Sequence, residues 1–176
     1  MTRNSDTAPI DSFSDCHAGI VTHLKALDQL PALLEPAMQA RRIAAESVRF
    51  FRSVIFEHHG DEERELFPIV LANAAAGEEK SRVQAIVDRL VHEHRHLESV
   101  WSKLEPELGA VATGGPANVD VSLLQQLVLN YQAHAKYEED VFLPLAQTIL
   151  SRQDEHLAAL GLRLHMRHKP LVAMPF

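Results

Sequence analysis

The segments His58-His-Gly-Asp-Glu-Glu-Arg-Glu-Leu-Phe-Pro68 and His134-Ala-Lys-Tyr-Glu-Glu-Asp-Val-Phe-Leu-Pro144 repeat one pattern: a histidine, a glutamate four residues on, and a proline six beyond that. On a helix, residues four apart share a face with Cβ atoms roughly 5–6 Å apart, so each His/Glu pair offers a nitrogen and an oxygen to one cation. The repeat extends beyond these blocks. His17, followed by Ile20, Leu24 and Leu27, matches His94, followed by Leu97, Trp101 and Leu104, 77 residues later; the two HxxxE blocks lie 76 residues apart. Two halves with one internal spacing describe a doubled helical hairpin.

A chain of 176 residues with 46% hydrophobic content buries a sizeable core within one domain. Aromatic residues are only 6% and runs rich in Val, Ile, Tyr and Thr are missing, which predicts an all-α fold. The net charge of −7 lacks the basic stripe that a phosphate backbone requires, so nucleic acid is excluded as a partner. One cysteine forms no internal disulfide, and neither a signal-peptide stretch nor a membrane-length apolar run is found. The expected location is the cytoplasm, with no membrane partner. Eleven histidines are the unusual count, because histidine is a middling helix former with no general advantage in a solvated bundle.

Residues 1–11 are polar and aperiodic and read as an N-terminal arm. Residues 12–150 read as four helices over 12–30, 37–75, 78–111 and 119–150, separated at Pro31 and Pro36, at Asn73 to Gly77, and at Thr113-Gly-Gly-Pro116. Residues 151–176 read as a short C-terminal helix and tail, opened by Ser151 with Asp154 and closed at Pro170 after Arg163, Arg167 and Lys169. Short connections make neighbours antiparallel, so the predicted architecture is an up-down-up-down four-helix bundle with an added helix.

The apolar stripes pick out the histidines that face the core. In the third helix, Val83, Val87, Leu90, His94, Leu97, Trp101, Leu104, Leu108 and Val111 form one seam spaced by threes and fours. The first helix places His17 among Phe13, Ile20, Leu24 and Leu27; the second aligns Val48, Phe51, Ile55, His58, Glu62 and Ile69; the fourth aligns Leu127, Tyr131, His134, Glu138, Val141 and Leu145. Six polar side chains thereby occupy core positions. A buried polar group without a partner costs a few kcal/mol and a lone carboxylate more, a conflict that a shared cation removes. The candidate metal ligands are His17, His58, Glu62, His94, His134 and Glu138. Four imidazoles and two carboxylates without a thiolate suit iron or manganese better than a closed tetrahedral zinc site. If both glutamates bridge two metals and each metal takes two histidines, about two positions stay open on each octahedral ion for water, oxide, O2, NO or peroxide.

These residues resemble the hemerythrin-like proteins with HHE cation-binding domains. The resemblance spans residues 15–150 and rests on His17, His58xxxGlu62, His94 and His134xxxGlu138, with the trailing Leu66-Phe-Pro68 and Phe142-Leu-Pro144. It implies a non-haem centre of two iron ions in a four-helix bundle, joined by carboxylates and an oxide or water. His17, His58, His94 and His134 are then terminal ligands, and Glu62 and Glu138 the bridges. The oxygen-carrying hemerythrins differ in two respects. They have a further histidine at the position of Leu90, and a fourth-helix carboxylate spaced five rather than four from its histidine. The wider family implies iron binding with a role in O2, NO or redox response; the redox partner and oligomeric state are not specified.

Competing patterns exist. His92-Glu-His-Arg-His96 matches the HExxH zinc-protease signature, but it sits in a histidine-rich helix with no strand to align a peptide, and Glu98 and Glu107 are ordinary third-ligand candidates. Glu93xxHis96 matches the ExxH of ferritin-like oxidases but has no second copy. Glu63 and Glu139 read as solvated residues or as acceptors for ligand imidazoles. His59, His92 and His96 are candidate extra ligands should the stripe phase slip, Tyr131 reads as a packed core tyrosine, and Cys16 as a small buried hydrophobe. His23, His156, His165 and His168 fall outside the repeat and read as surface residues. Three function classes follow: a binding or sensing protein, an iron-handling oxidase or peroxidase, and a purely structural bundle.

Overall fold

Three helical rods account for residues 9–152, the part of the chain described in a computed structural model, with side chains from residue 16 onward. The first rod joins α1 (Pro9–Phe50), a π-turn (Phe51–Ile55), α2 (Phe56–Asp61), a second π-turn (Glu62–Leu66) and α3 (Phe67–Asn73). The second is α4 (Glu78–Thr113). The third joins α5 (Val121–Tyr137), a π-turn (Glu138–Phe142) and α6 (Leu143–Leu150). The protein is all-α, and no strand occurs among the described residues.

The turns between rods fall where glycine permits them. Gly77 takes φ 96° before α4, and Gly114 takes φ 74° after it, conformations that cost other residues. Asp120 caps α5 by accepting from the Leu123 N–H at 2.9 Å.

Two of the three π-turns have a cause in the sequence. Pro68 and Pro144 lack an N–H and their rings crowd the carbonyl four residues back. The helix widens just before each: the Phe67 N–H bonds to Glu62 O and the Leu143 N–H to Glu138 O, five residues back. The proline in each repeated block thus sets the turn that begins at its glutamate. The π-turn at Phe51–Ile55 has no such proline.

The widened turns move the apolar stripe by one residue. In the first rod the buried positions include Ile55, His59, Glu62, Leu66, Phe67 and Val70, where uniform helical spacing predicts His58 and Ile69. In the third rod the prediction holds from Leu127 to Glu138. Beyond that π-turn, Phe142 and Ala146 are buried in place of Val141 and Leu145. The seam of α4, which has no π-turn, is buried from Val83 to Leu108 as spaced.

The core is divided. One apolar cluster centres on Phe67, Val70, Val83, Leu90, Phe142 and Ile149, and another on Leu97, Trp101, Leu104 and Leu127, with Phe51 stacked on Trp101 at 3.8 Å. Between them lies a polar layer of His59, Glu62, His94, His134 and Glu138.

The expected break at Pro31 and Pro36 does not occur: α1 runs through both prolines for 42 residues. Every residue in 16–43 is exposed, so the carbonyls at residues 27 and 32 that lose their donors to proline can bond water. The following Ala37-Met-Gln-Ala-Arg-Arg42 consists of helix formers without a glycine. The C-terminal helix expected after Ser151, with His156, His165 and His168, lies outside the described residues apart from its start.

Candidate metal centre

The polar layer contains two groups of three donors. Nitrogens of His59, His94 and His134 lie within 4.8 Å of one another, and so do donor atoms of His58, Glu62 and Glu138. Glu62 stands between the groups, with Oε1 3.3 Å from His58 Nε2 and Oε2 3.4 Å from His94 Nε2. Glu138 places Oε2 3.7 Å from His134 Nε2. The carboxylates therefore occupy positions from which each lies near donors of both groups.

Each buried imidazole is held from behind by a carboxylate. His94 Nδ1 donates to Glu63 Oε1 at 2.9 Å, His134 Nδ1 to Glu93 Oε2 at 3.0 Å, and His59 Nδ1 to Glu98 Oε1 at 3.2 Å. A neutral imidazole that donates from Nδ1 keeps its lone pair on Nε2. Cations fix these acceptors in turn: Arg95 bonds Glu98 at 3.0 Å and also grips Glu63, while Arg89 bonds Glu93 at 2.7 Å. This carboxylate backing is the arrangement that orients metal-ligating histidines.

The front of each ring has no such partner. Nε2 of His59, His94 and His134, together with Glu62 Oε2 and Glu138 Oε1, are buried and make no hydrogen bond among the described residues. Buried polar atoms are rarely left so, because each forfeits its hydration. Five of them converging on one layer fit a bound cation, which would take the three nitrogens as lone-pair donors and neutralise the facing carboxylates.

The electrostatics agree. Burial, then the neighbouring His94 and His134, holds the His59 pKa down at about 3, so that ring is neutral. Burial likewise lowers His134, against the pull of Glu93. For His94, burial opposes the charge, but Glu62 and Glu63 outweigh it and raise the pKa. Burial and the adjacent Glu62 carboxylate push Glu138 well above the usual carboxylate range. Tyr131, half-buried against the His59 and His134 rings at 6.0 and 5.8 Å, is raised by burial and by both glutamates.

The sequence candidates are thus distributed unevenly. The structure brings His58, Glu62, His94, His134 and Glu138 into one layer, with the His58 side chain 40% exposed. It does not bring His17 there: that residue is exposed on α1, 41 residues before His58, or about 60 Å along the rod at 1.5 Å per residue. His59 is 1% exposed and faces the layer, a position that uniform helical spacing assigns to His58 alone. The signal available for it was the double histidine alone, because the turn widened before Pro68 begins at Glu62, after His59. Glu63, Glu93 and Glu98 orient the rings, while Glu139 is exposed.

His92 and His96 are exposed and line a cleft of about 380 Å³ between α4 and α5, with Glu93, Asn130 and His134. Asn130 Nδ2 lies 3.2 Å from His96 Nε2. Glu93, the would-be base of an HExxH site, is committed to His134 and Arg89. His23 and Cys16 are exposed, which corrects the reading of Cys16 as a buried hydrophobe. No helix among the described residues is long and apolar enough to cross a membrane.

The comparisons with known proteins bear on the same residues. The hemerythrin HHE cation-binding domain family matches residues 8–146. A Haemophilus influenzae protein described as uncharacterized is 24% identical over 158 residues, covering 86% of this chain and 88% of that protein. No solved structure matches the chain. The repeated His/Glu blocks, the carboxylate-backed imidazoles and the family match lead to one conclusion: the chain belongs to the hemerythrin HHE cation-binding domain family and is a metal-binding protein.

Proposed function

We propose that the polar layer holds two iron ions and that the protein binds or senses a small ligand such as O2, NO or peroxide. The observation that carries this reading is the set of buried donor atoms without hydrogen-bond partners, fronting rings whose backs are fixed by carboxylates. His59, His94 and His134 would hold one ion and His58 the other, with Glu62 and Glu138 within reach of both. A mixed nitrogen and oxygen set without thiolate suits iron, with manganese as the next candidate and zinc after it. Reduced iron in such a set supplies open coordination positions and electrons to a small ligand.

The chain's own groups account for the rest. Glu63, Glu93 and Glu98 hold the imidazole lone pairs on Nε2 and raise their donor strength. The two apolar clusters above and below exclude bulk water from the layer. The cleft beside His134 provides an approach for small molecules from the α4/α5 side. The carboxylates of Glu62 and Glu138 would offset part of the charge of bound ions.

Titrating the reduced, iron-loaded protein anaerobically with O2 and with NO while recording its visible spectrum tests the reading. Stoichiometric spectral change supports binding or sensing, and sustained consumption of O2 or peroxide supports an oxidase or peroxidase. An unchanged spectrum with every ligand refutes both.

A further inference from the structure

The metal layer has one open side, and the chain carries a helical arm whose described side chains are all exposed. Residues 16–43 project beyond the rods, all exposed, and display Ile20, Leu24, Leu27, Leu34 and Met38 along the arm. The arm leaves the bundle beside Gly114, where the Arg41 guanidinium lies over the end of α4; Ala44, three residues on, is the first buried position. His58 is 40% exposed, and its group has one imidazole where the other group has three.

The internal repeat shows why the arm does not fold back. The α4–α5 connection at residues 113–120 is Thr-Gly-Gly-Pro-Ala-Asn-Val-Asp, and Gly114 adopts the left-handed conformation there. Its counterpart 77 residues earlier, residues 36–43, is Pro-Ala-Met-Gln-Ala-Arg-Arg-Ile, with neither a glycine nor an asparagine to reverse the chain. A hinge that prefers to stay helical, attached to an apolar helix that a four-helix bundle lacks, describes an element exchanged between copies.

We infer that two copies of this chain exchange their N-terminal helices, so that residues 16–43 of each complete the other's bundle and bring the partner's His17 to His58. Two antiparallel first rods that set residue 17 against residue 58 have their twofold axis between Ala37 and Met38, about one helical turn before Arg41. The same register sets Ile20, Leu24 and Leu27 opposite Ile55, Phe51 and Val48, of which Ile55 is buried and the other two half-buried. Each arm is about 40 Å long and presents a face about 10 Å wide. Two arms and the two sides they cover come to on the order of 1,600 Å², the usual size of a specific interface. The ligand role of His17 rests on the metal reading above. The exchange of arms does not.

Light scattering on metal-free and iron-loaded protein should both give twice the 19.7 kDa of one chain. A monomer in both states overturns the inference whatever metal is bound. In a Cys16→Ser background, Ile20→Cys with Ile55→Cys should oxidise to a covalent dimer on a denaturing gel; an intramolecular disulfide or none overturns the exchange. Replacing Met38 and Gln39 with Gly-Gly and a following Pro should shift the protein toward monomer. Co-expressed His17→Ala and His58→Ala chains should recover one fully loaded centre per mixed dimer, since the intact groups meet in one of its two bundles. Recovery no better than for each variant alone overturns His17 as a shared ligand.

Discussion

The His59 imidazole stacks on that of His94 with ring centroids 3.9 Å apart and planes within 5°. Two rings so close, both buried, disfavour a double positive charge, and burial holds His59 neutral with a pKa of about 3. Each nonetheless has a carboxylate on Nδ1 and a bare Nε2 directed into the polar layer. The pair is thereby arranged to donate two lone pairs.

A His59→Ala variant is expected to lose at least one ion per chain, while His92→Ala, on the exposed side of α4, keeps the full complement. Metal analysis of the two purified variants checks this. Equal metal contents would remove His59 from the centre.

Glu63 acts on the metal through His94. Glu63→Gln should leave the helical content unchanged and weaken metal affinity about 10–100-fold, the effect typical of removing the carboxylate behind a ligating histidine. Competition against a chelator of known affinity measures the change, and an affinity equal to that of the parent would show that Glu63 does not orient the ring.

Pro68 and Pro144 widen the helix next to the two glutamates. Replacing both with alanine restores the missing donors, so the metal-free variant should melt no lower than the parent. The stripe should return to regular helical phase and metal affinity should fall. A variant with parental affinity would show that the π-turns do not position the carboxylates.

Arg152 donates to both oxygens of Glu79 at 2.8 and 2.7 Å, and with the Ala75 N–H it lowers the Glu79 pKa from 4.5 to about 2. A depressed carboxyl pKa contributes stability above the unfolded value of 4.5 and loses it as pH falls from there toward 2. The pair is exposed, so the effect is small and weakens in salt. Glu79→Gln should therefore melt below the parent at pH 6 and alongside it at pH 2. A gap of constant size over that range would exclude this ion pair as its source.

Much of this was legible from spacing. The seam from Val83 to Leu108 on α4 is buried as its threes and fours require, because that helix keeps a uniform period. His134 and Glu138 fall on the core face for the same reason. His59 was not assigned to that face because a π-turn inserts a residue into the stripe, which a fixed 100° step does not register. The arm differs for another reason. Pro31 and Pro36 signal a stop, yet helix formers around them and water at their carbonyls let α1 continue. His17 therefore lies exposed and far from its own chain's centre. The carboxylates behind the rings, Glu93 and Glu98 among them, depend on how α4 rotates against its neighbours, which no single helix encodes.

Chelation should also lower the melting temperature, since donors on opposing rods share a partner only in the folded state. The same dependence should vanish in Glu62→Ala if that carboxylate spans the two groups.

The most direct measurement is iron content after anaerobic purification, compared between the parent and the Glu62→Ala and His134→Ala variants. About two iron atoms per chain in the parent and a clear loss in both variants is the result expected of a shared carboxylate-bridged pair. Full metal content in either variant, or a parent that takes up no metal, would contradict the account.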